Sequence, residues 1–197
     1  MSSLVTRERE KYESVWGIDS YHVNSPGAQV LPVFLDMSGA TPGATILDAG
    51  CGSAKGAVAL TKAQMRVTMC DLTPDGVVAE ATALPFVSAC LWDDLTPLGT
   101  FDYVYCCDVL EHIPTPFTML VIARLLAVAK RGLFLSISTV PDNYGPLVGA
   151  TLHQTVQPFV WWRDQLAAMG HLKEARDMLI SGCYYVEPRL RYALDRW

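Results

Sequence analysis

Short apolar runs recur along the chain from residue 44, and each stops at a polar residue or a glycine. They cover 44–49, 66–71, 86–92, 101–107 and 132–138. Runs of this length, apolar at nearly every position, suit strands buried on both faces. Between them, 54–63 and 115–129 carry apolar residues at helical spacing. The stretch 74–84 has weak signals and predicts a loop with at most one helical turn. Alternation of this kind predicts a parallel sheet with helices on both sides. Ahead of it, 5–20 predicts a helix with Tyr12, Val15 and Trp16 on its apolar face. Ser25-Pro26-Gly27 breaks that helix, 28–37 predicts another, and 38–43 is a turn-rich linker. Behind it, 157–169 predicts a helix ended by Gly170, with His171 as a solvated turn residue. Strands are predicted at 176–180 and 183–187, with Ser181-Gly182 as the hairpin signal.

The densest local signal is Ile46-Leu47-Asp48-Ala49-Gly50-Cys51-Gly52-Ser53-Ala54-Lys55-Gly56. A buried strand runs into a glycine turn and then into a helix. Gly50 and Gly52 let the backbone turn sharply and approach a ligand with no Cβ in the way. The frame departs from the dinucleotide fingerprint, because Lys55 stands three residues after Gly52. It also departs from the P-loop, which requires Gly-Lys-Ser/Thr. The second strand ends in Asp71, a carboxylate able to accept hydrogen bonds from both hydroxyls of a ribose. The fourth reads Phe101-Asp102-Tyr103-Val104-Tyr105-Cys106-Cys107-Asp108-Val109-Leu110-Glu111-His112-Ile113-Pro114.

These three ordered segments resemble the class I S-adenosylmethionine-dependent methyltransferases: the acid-x-G-x-G loop, the acid ending the second strand, and the F-D-x-V…V-L-E-H stretch. The resemblance is firm over about 44–140, and the whole chain is similar to small methyltransferases found in phage genomes. It implies an α/β, Rossmann-like fold with a seven-stranded, mostly parallel sheet flanked by helices and an antiparallel last strand. The implied organisation is one methyltransferase domain over 1–197. Residues 1–43 would be a helical cap, 44–138 the cofactor-binding core, and 139–197 the acceptor-side insert and last strands.

The implied cofactor is S-adenosyl-L-methionine. Asp48, Gly50, Cys51 and Gly52 would lie around its amino-acid part and ribose, and Asp71 with Leu72 at the ribose hydroxyls. The family often has a third glycine where this chain has Ala54. Leu91, Trp92 and Asp93 fall where the adenine site is expected, with Asp93 as the candidate acceptor for the adenine amino group. Cys107 and Asp108 would lie near the methionine part.

His112 follows the fourth strand, where it can face the acceptor and take its proton as catalytic base. The alternative is a histidine that only pins the next helix. Tyr12, Trp16, Tyr21, His112, Tyr144, His153 and Trp161 are the candidate acceptor-binding residues, with His22 nearby in sequence. On a helix, Trp161 and Trp162 point about 100° apart, so at most one can face a pocket. Asp108, Glu111, His112 and His153 carry metal-ligating atoms, but the E-x-x-H pairs of metal-using relatives are not reproduced, and no metal is expected.

Composition narrows the acceptor. The net charge is −5, which disfavours a nucleic-acid partner held by its phosphates. A cluster of Lys173, Arg176, Arg189, Arg191 and Arg196 reads as a solvated face. No D/N/S-P-P-Y/F/W motif and no Pro-Cys nucleophile occurs, which disfavours the DNA amino- and cytosine-methylating types. The leading expectation is therefore a small-molecule acceptor. The alternatives are a nucleic-acid or nucleobase methyltransferase and a non-catalytic S-adenosylmethionine-binding regulator. No membrane-length apolar run or signal peptide is visible, so a cytoplasmic location is expected. The six cysteines form no C-x-x-C pair and read as reduced, with Cys106 and Cys107 on opposite strand faces.

Overall fold

The computed structural model describes residues 3–18, 21 and 25–189; His22, Arg191 and Arg196 lie outside them. Seven strands form one sheet: β1 (Thr45–Ala49), β2 (Arg66–Asp71), β3 (Phe86–Ser88), β4 (Phe101–Cys107), β5 (Ala129–Ser138), β6 (His171–Asp177) and β7 (Ser181–Glu187). Their order is β3-β2-β1-β4-β5-β7-β6. Strands β1 to β5 pair in parallel, and β7 runs antiparallel to both β5 and β6. The last strand is thus the antiparallel member.

Among the described residues, six α-helices flank the sheet: α1 (Ser3–Trp16), α2 (Pro26–Gln29), α3 (Leu31–Ser38), α4 (Lys55–Lys62), α5 (Thr118–Val128) and α6 (Phe159–Met169). Successive strand residues point to opposite faces, and two cores result. Leu47, Val104, Cys106, Leu133, Leu135 and Tyr184 pack with α5 and α6. Ile46, Tyr103, Tyr105, Phe134 and Tyr185 pack with α3 and α4, around a ring cluster centred on Phe34. Gly132 is required here, since a Cβ on it would come within 2.3 Å of the Tyr185 ring.

Four local expectations need correction. The third strand ends at Ser88, not residue 92. Its last ladder bond is Ala89 N–H to the Asp71 carbonyl, after which Asp93 N–H closes a turn on Cys90. The hairpin turn is Met178-Leu179-Ile180, with Leu179 at φ +73°, while Ser181 and Gly182 belong to β7. Gly182 is small because Tyr184 and Phe159 cover it. His171 opens β6. The predicted helix at 28–37 is two pieces that meet at Val30. Among the described residues, no helix is long and apolar enough to cross a membrane, and all six cysteines are free.

Candidate active site

A cleft of about 350 Å³ opens at the carboxyl ends of β1, β2 and β4, the edge where open parallel sheets take ligands. Its floor is the loop between β1 and α4. Gly50 has φ +72°, and a Cβ there would meet Val109 at 2.5 Å. Gly52 has φ +50° and lies under the Trp16 ring, as does Gly76, where a Cβ would meet that ring at 2.5 Å. Ala54 also takes a left-handed conformation, φ 59°, at the start of α4.

Two carboxylates define the floor. Asp71 Oδ2 accepts the Gly52 N–H at 2.8 Å and Oδ1 accepts the Leu72 N–H at 2.7 Å. The acid therefore ties the glycine loop to β2. Burial pushes its pKa up, against the pull of those backbone donors. Asp48 is almost completely buried, and its Oδ2 has no partner. Burial, reinforced by the Asp71 charge, raises it to about 7. An unpartnered buried oxygen beside a Cβ-free loop fits a ligand that brings hydrogen-bond donors.

The Asp48 shift predicts a pH dependence. The folded protein holds this proton where the unfolded chain, with the ordinary carboxyl value of 3.8, has lost it. Stability then falls as pH rises from about 4 to about 7, by on the order of 4 kcal/mol from this group. Thermal melts of the ligand-free protein should show a higher Tm at pH 5 than at pH 8. Asp48→Asn should flatten that difference; an unchanged slope would exclude Asp48 as its source.

The walls are aromatic. Glu8, Tyr12 and Trp16 lie four residues apart on one face of α1 and all line the cleft. Trp16 meets Tyr21 edge-on at 4.9 Å, and Tyr21 meets Tyr144 at 5.2 Å. Tyr12 contacts the His112 ring at 5.9 Å, and His112 contacts His153 at 4.6 Å. Gln154 ties α1 to this wall: its Nε2 donates to Glu8 Oε2 at 3.2 Å and to the His112 carbonyl at 3.0 Å. Burial, then His153 and Lys11, push His112 down to about 3. Its imidazole is neutral at physiological pH and a weak base, so it suits a lone-pair acceptor better than a general base.

Of the candidate cofactor residues, Asp48, Gly50, Cys51, Gly52, Asp71, Leu72, Leu91, Trp92, Cys107 and Asp108 line the cleft. Trp92 also stacks on Phe117 at 5.1 Å. Asp108 sits at φ 54° and accepts Ser136 Oγ–H at 3.2 Å; burial raises it to about 6. Asp93 does not reach the cleft, because the turn on Cys90 leaves it exposed. Trp161 does not reach it either: α6 packs on the far side of the sheet's last strands, with Trp161 against the α5–α6 core. Tyr12, Trp16, Tyr21, His112, Tyr144 and His153 are brought together. Glu8 was missed, although its spacing from Tyr12 and Trp16 already puts it on their face. Asp142 is a further polar residue of the cleft. It accepts the Leu152 and His153 N–H groups, both at 3.2 Å, and that of Gly145.

A family profile described as "Methyltransferase domain" matches residues 46–132. That span holds the glycine loop, Asp71 and the Glu111-His112 turn. Over that span the chain matches a methyltransferase-domain family, and its seven-stranded sheet has the Rossmann-like methyltransferase fold. The chain is 34% identical over 117 residues to a ubiquinone biosynthesis O-methyltransferase of Xanthomonas campestris, covering 53% of this chain and 48% of that one. It is 32% identical over 112 residues to a magnesium-protoporphyrin O-methyltransferase of Synechocystis, covering 53% and 49%. The chain thus spans about half the length of the curated relatives it matches. In fold, it resembles the Synechocystis PCC 6803 magnesium protoporphyrin IX methyltransferase with bound SAM (TM-score 0.62, 22% identity, 82% of this chain and 77% of that one). A TehB-like SAM-dependent methyltransferase from Corynebacterium glutamicum gives TM-score 0.62 at 18% identity, covering 93% and 98%.

Proposed function

We propose that this methyltransferase domain moves a methyl group from S-adenosylmethionine to a small, uncharged or cationic acceptor bound among the aromatic residues of the cleft. The observation that carries the reading is the composition of the cleft. Its floor holds the glycine loop with Asp48 and Asp71, its wall holds Tyr12, Trp16, Tyr21 and Tyr144, and none of the described lining residues is Lys or Arg. An anionic acceptor would find side-chain carboxylates and no Lys or Arg to pair with. Relatives named for methylating a ubiquinone precursor and magnesium protoporphyrin lend support, as both names denote small molecules.

When bound, S-adenosylmethionine supplies a methyl group already activated on a sulfonium sulfur. The chain must then bind, orient and exclude water. Asp71 and the glycine loop would hold the nucleoside, Leu91 and Trp92 would flank the base, and Cys107 and Asp108 would lie by the amino-acid end. The α1 face would close over the loop, with Trp16 on Gly52 as its lid contact. Residues 1–43 would then act as cap and 139–197 as acceptor wall.

The test is transfer of radiolabelled methyl to a panel of small phenols, catechols and amines, with duplex DNA and RNA alongside. Incorporation into a small molecule is expected, with duplex DNA bound only weakly at physiological salt. Efficient labelling of nucleic acid would overturn the acceptor assignment. Tight S-adenosylhomocysteine binding without transfer to any acceptor would favour a regulatory role.

A further inference from the structure

We propose that Glu111, His112 and His153 form a divalent-metal site in the wall of the cleft, where the ion would hold the hydroxyl oxygen of the methyl acceptor. Chain spacing gives no hint of it; the fold assembles it. Glu111 and His112 lie in the single turn Leu110–His112 after β4. The segment with His153 is strapped to that turn, since Gln154 and Thr155 N–H both donate to the Glu111 carbonyl, at 2.7 and 2.9 Å. One ligand atom from each of the three side chains falls within 4.8 Å of the others.

Three further features suit a metal. Glu111 is fully buried; a Ser138 N–H at 3.0 Å fixes Oε1, while Oε2 has no partner. The shielded Nδ1 of His112 also has no partner. His153 Nδ1 lies 2.7 Å from the Val140 carbonyl. As the donor there, the ring keeps the Nε2 lone pair free, the arrangement that orients metal-ligating histidines. Two imidazoles and one carboxylate suit Zn²⁺, Mn²⁺, Fe²⁺ or Co²⁺ and leave coordination positions open. Bonds of roughly 2.0–2.2 Å set neighbouring ligand atoms roughly 3–4 Å apart, so small side-chain rotations close the set.

The ion's role rests on the methyl-transfer reading; the site itself does not. His112 and His153 both line the cleft, so an open position would face the acceptor. Coordination lowers the pKa of a bound hydroxyl. The hydroxyl proton passes to solvent water. The oxygen lone pair forms the new O–C bond as the C–S bond breaks and its electron pair stays on sulfur.

The test uses the full chain, stripped with chelator and titrated with Co²⁺ alone. One equivalent should bind, with visible d–d bands and no thiolate charge-transfer band. His153→Ala and Glu111→Gln should each weaken binding by at least about tenfold, with circular dichroism confirming that both fold. His153→Gln serves if the alanine variant does not. S-adenosylhomocysteine binding, measured on the same samples, separates the two readings: its loss with Co²⁺ binding intact would sink the methyltransferase reading and leave the site standing. Absence of Co²⁺ binding at millimolar concentration, a thiolate band, or equal binding by the folded variants would overturn the metal site.

Discussion

Asp71→Ala should lower affinity for S-adenosylhomocysteine by about ten- to a hundredfold at the least. A hydrogen bond to a charged group contributes roughly 1.5–3 kcal/mol, which is about one to two decades in Kd. The structure adds a second loss. The same carboxylate holds the Gly52 and Leu72 N–H groups, at 2.8 and 2.7 Å, so removing it also releases the glycine loop. Asp71→Asn retains one carbonyl acceptor and should lose less. Calorimetry on folded variants decides: unchanged affinity in Asp71→Ala would remove this residue from the cofactor site.

The adjacent tryptophans of α6 should behave very differently. Trp162 is fully buried in the α5–α6 core, and truncating a core aromatic to alanine costs about 3–5 kcal/mol. That is a large share of the roughly 5–15 kcal/mol that holds a typical domain folded. Trp161 meets Trp162 edge-on at 4.9 Å but is only partly buried and stands outside the cleft. Urea unfolding should show a severe loss for Trp162→Ala and a smaller one for Trp161→Ala. Acceptor KM should be unchanged in Trp161→Ala. A raised KM there would return Trp161 to the acceptor site.

Local chemistry is what made the core readable from sequence. The strand from Ile46 to Ala49 is apolar apart from Asp48 because both faces are covered, Gly50 marks a position where a Cβ would collide with Val109, and Gly52 takes a left-handed conformation close under Trp16. Asp71 announces itself by ending a strand. Two elements misled. The residues after Ser88 are apolar, yet they turn inward beneath the cleft instead of extending the edge strand, and Leu91 is 6% exposed. The hairpin was displaced because Gly182 looks like a turn residue while its smallness serves the overlying Tyr184 and Phe159 rings. Glu111, His112 and His153 are named from the sequence, with Asp108, as carriers of metal-ligating atoms and set aside; that the three side chains meet is not legible there. They are joined by backbone bonds from Gln154 and Thr155 to Glu111, and nothing in local spacing encodes such a bond.

The central claim is that the cleft at the ends of β1, β2 and β4 is an S-adenosylmethionine site. A crystal structure with S-adenosylhomocysteine tests it most directly. The ribose hydroxyls should lie within hydrogen-bond distance of the Asp71 carboxylate, with the homocysteine end over Gly50–Gly52 and the sulfur facing Tyr12 and His112. Nucleoside density elsewhere, or a cleft left empty at saturating ligand, would contradict it.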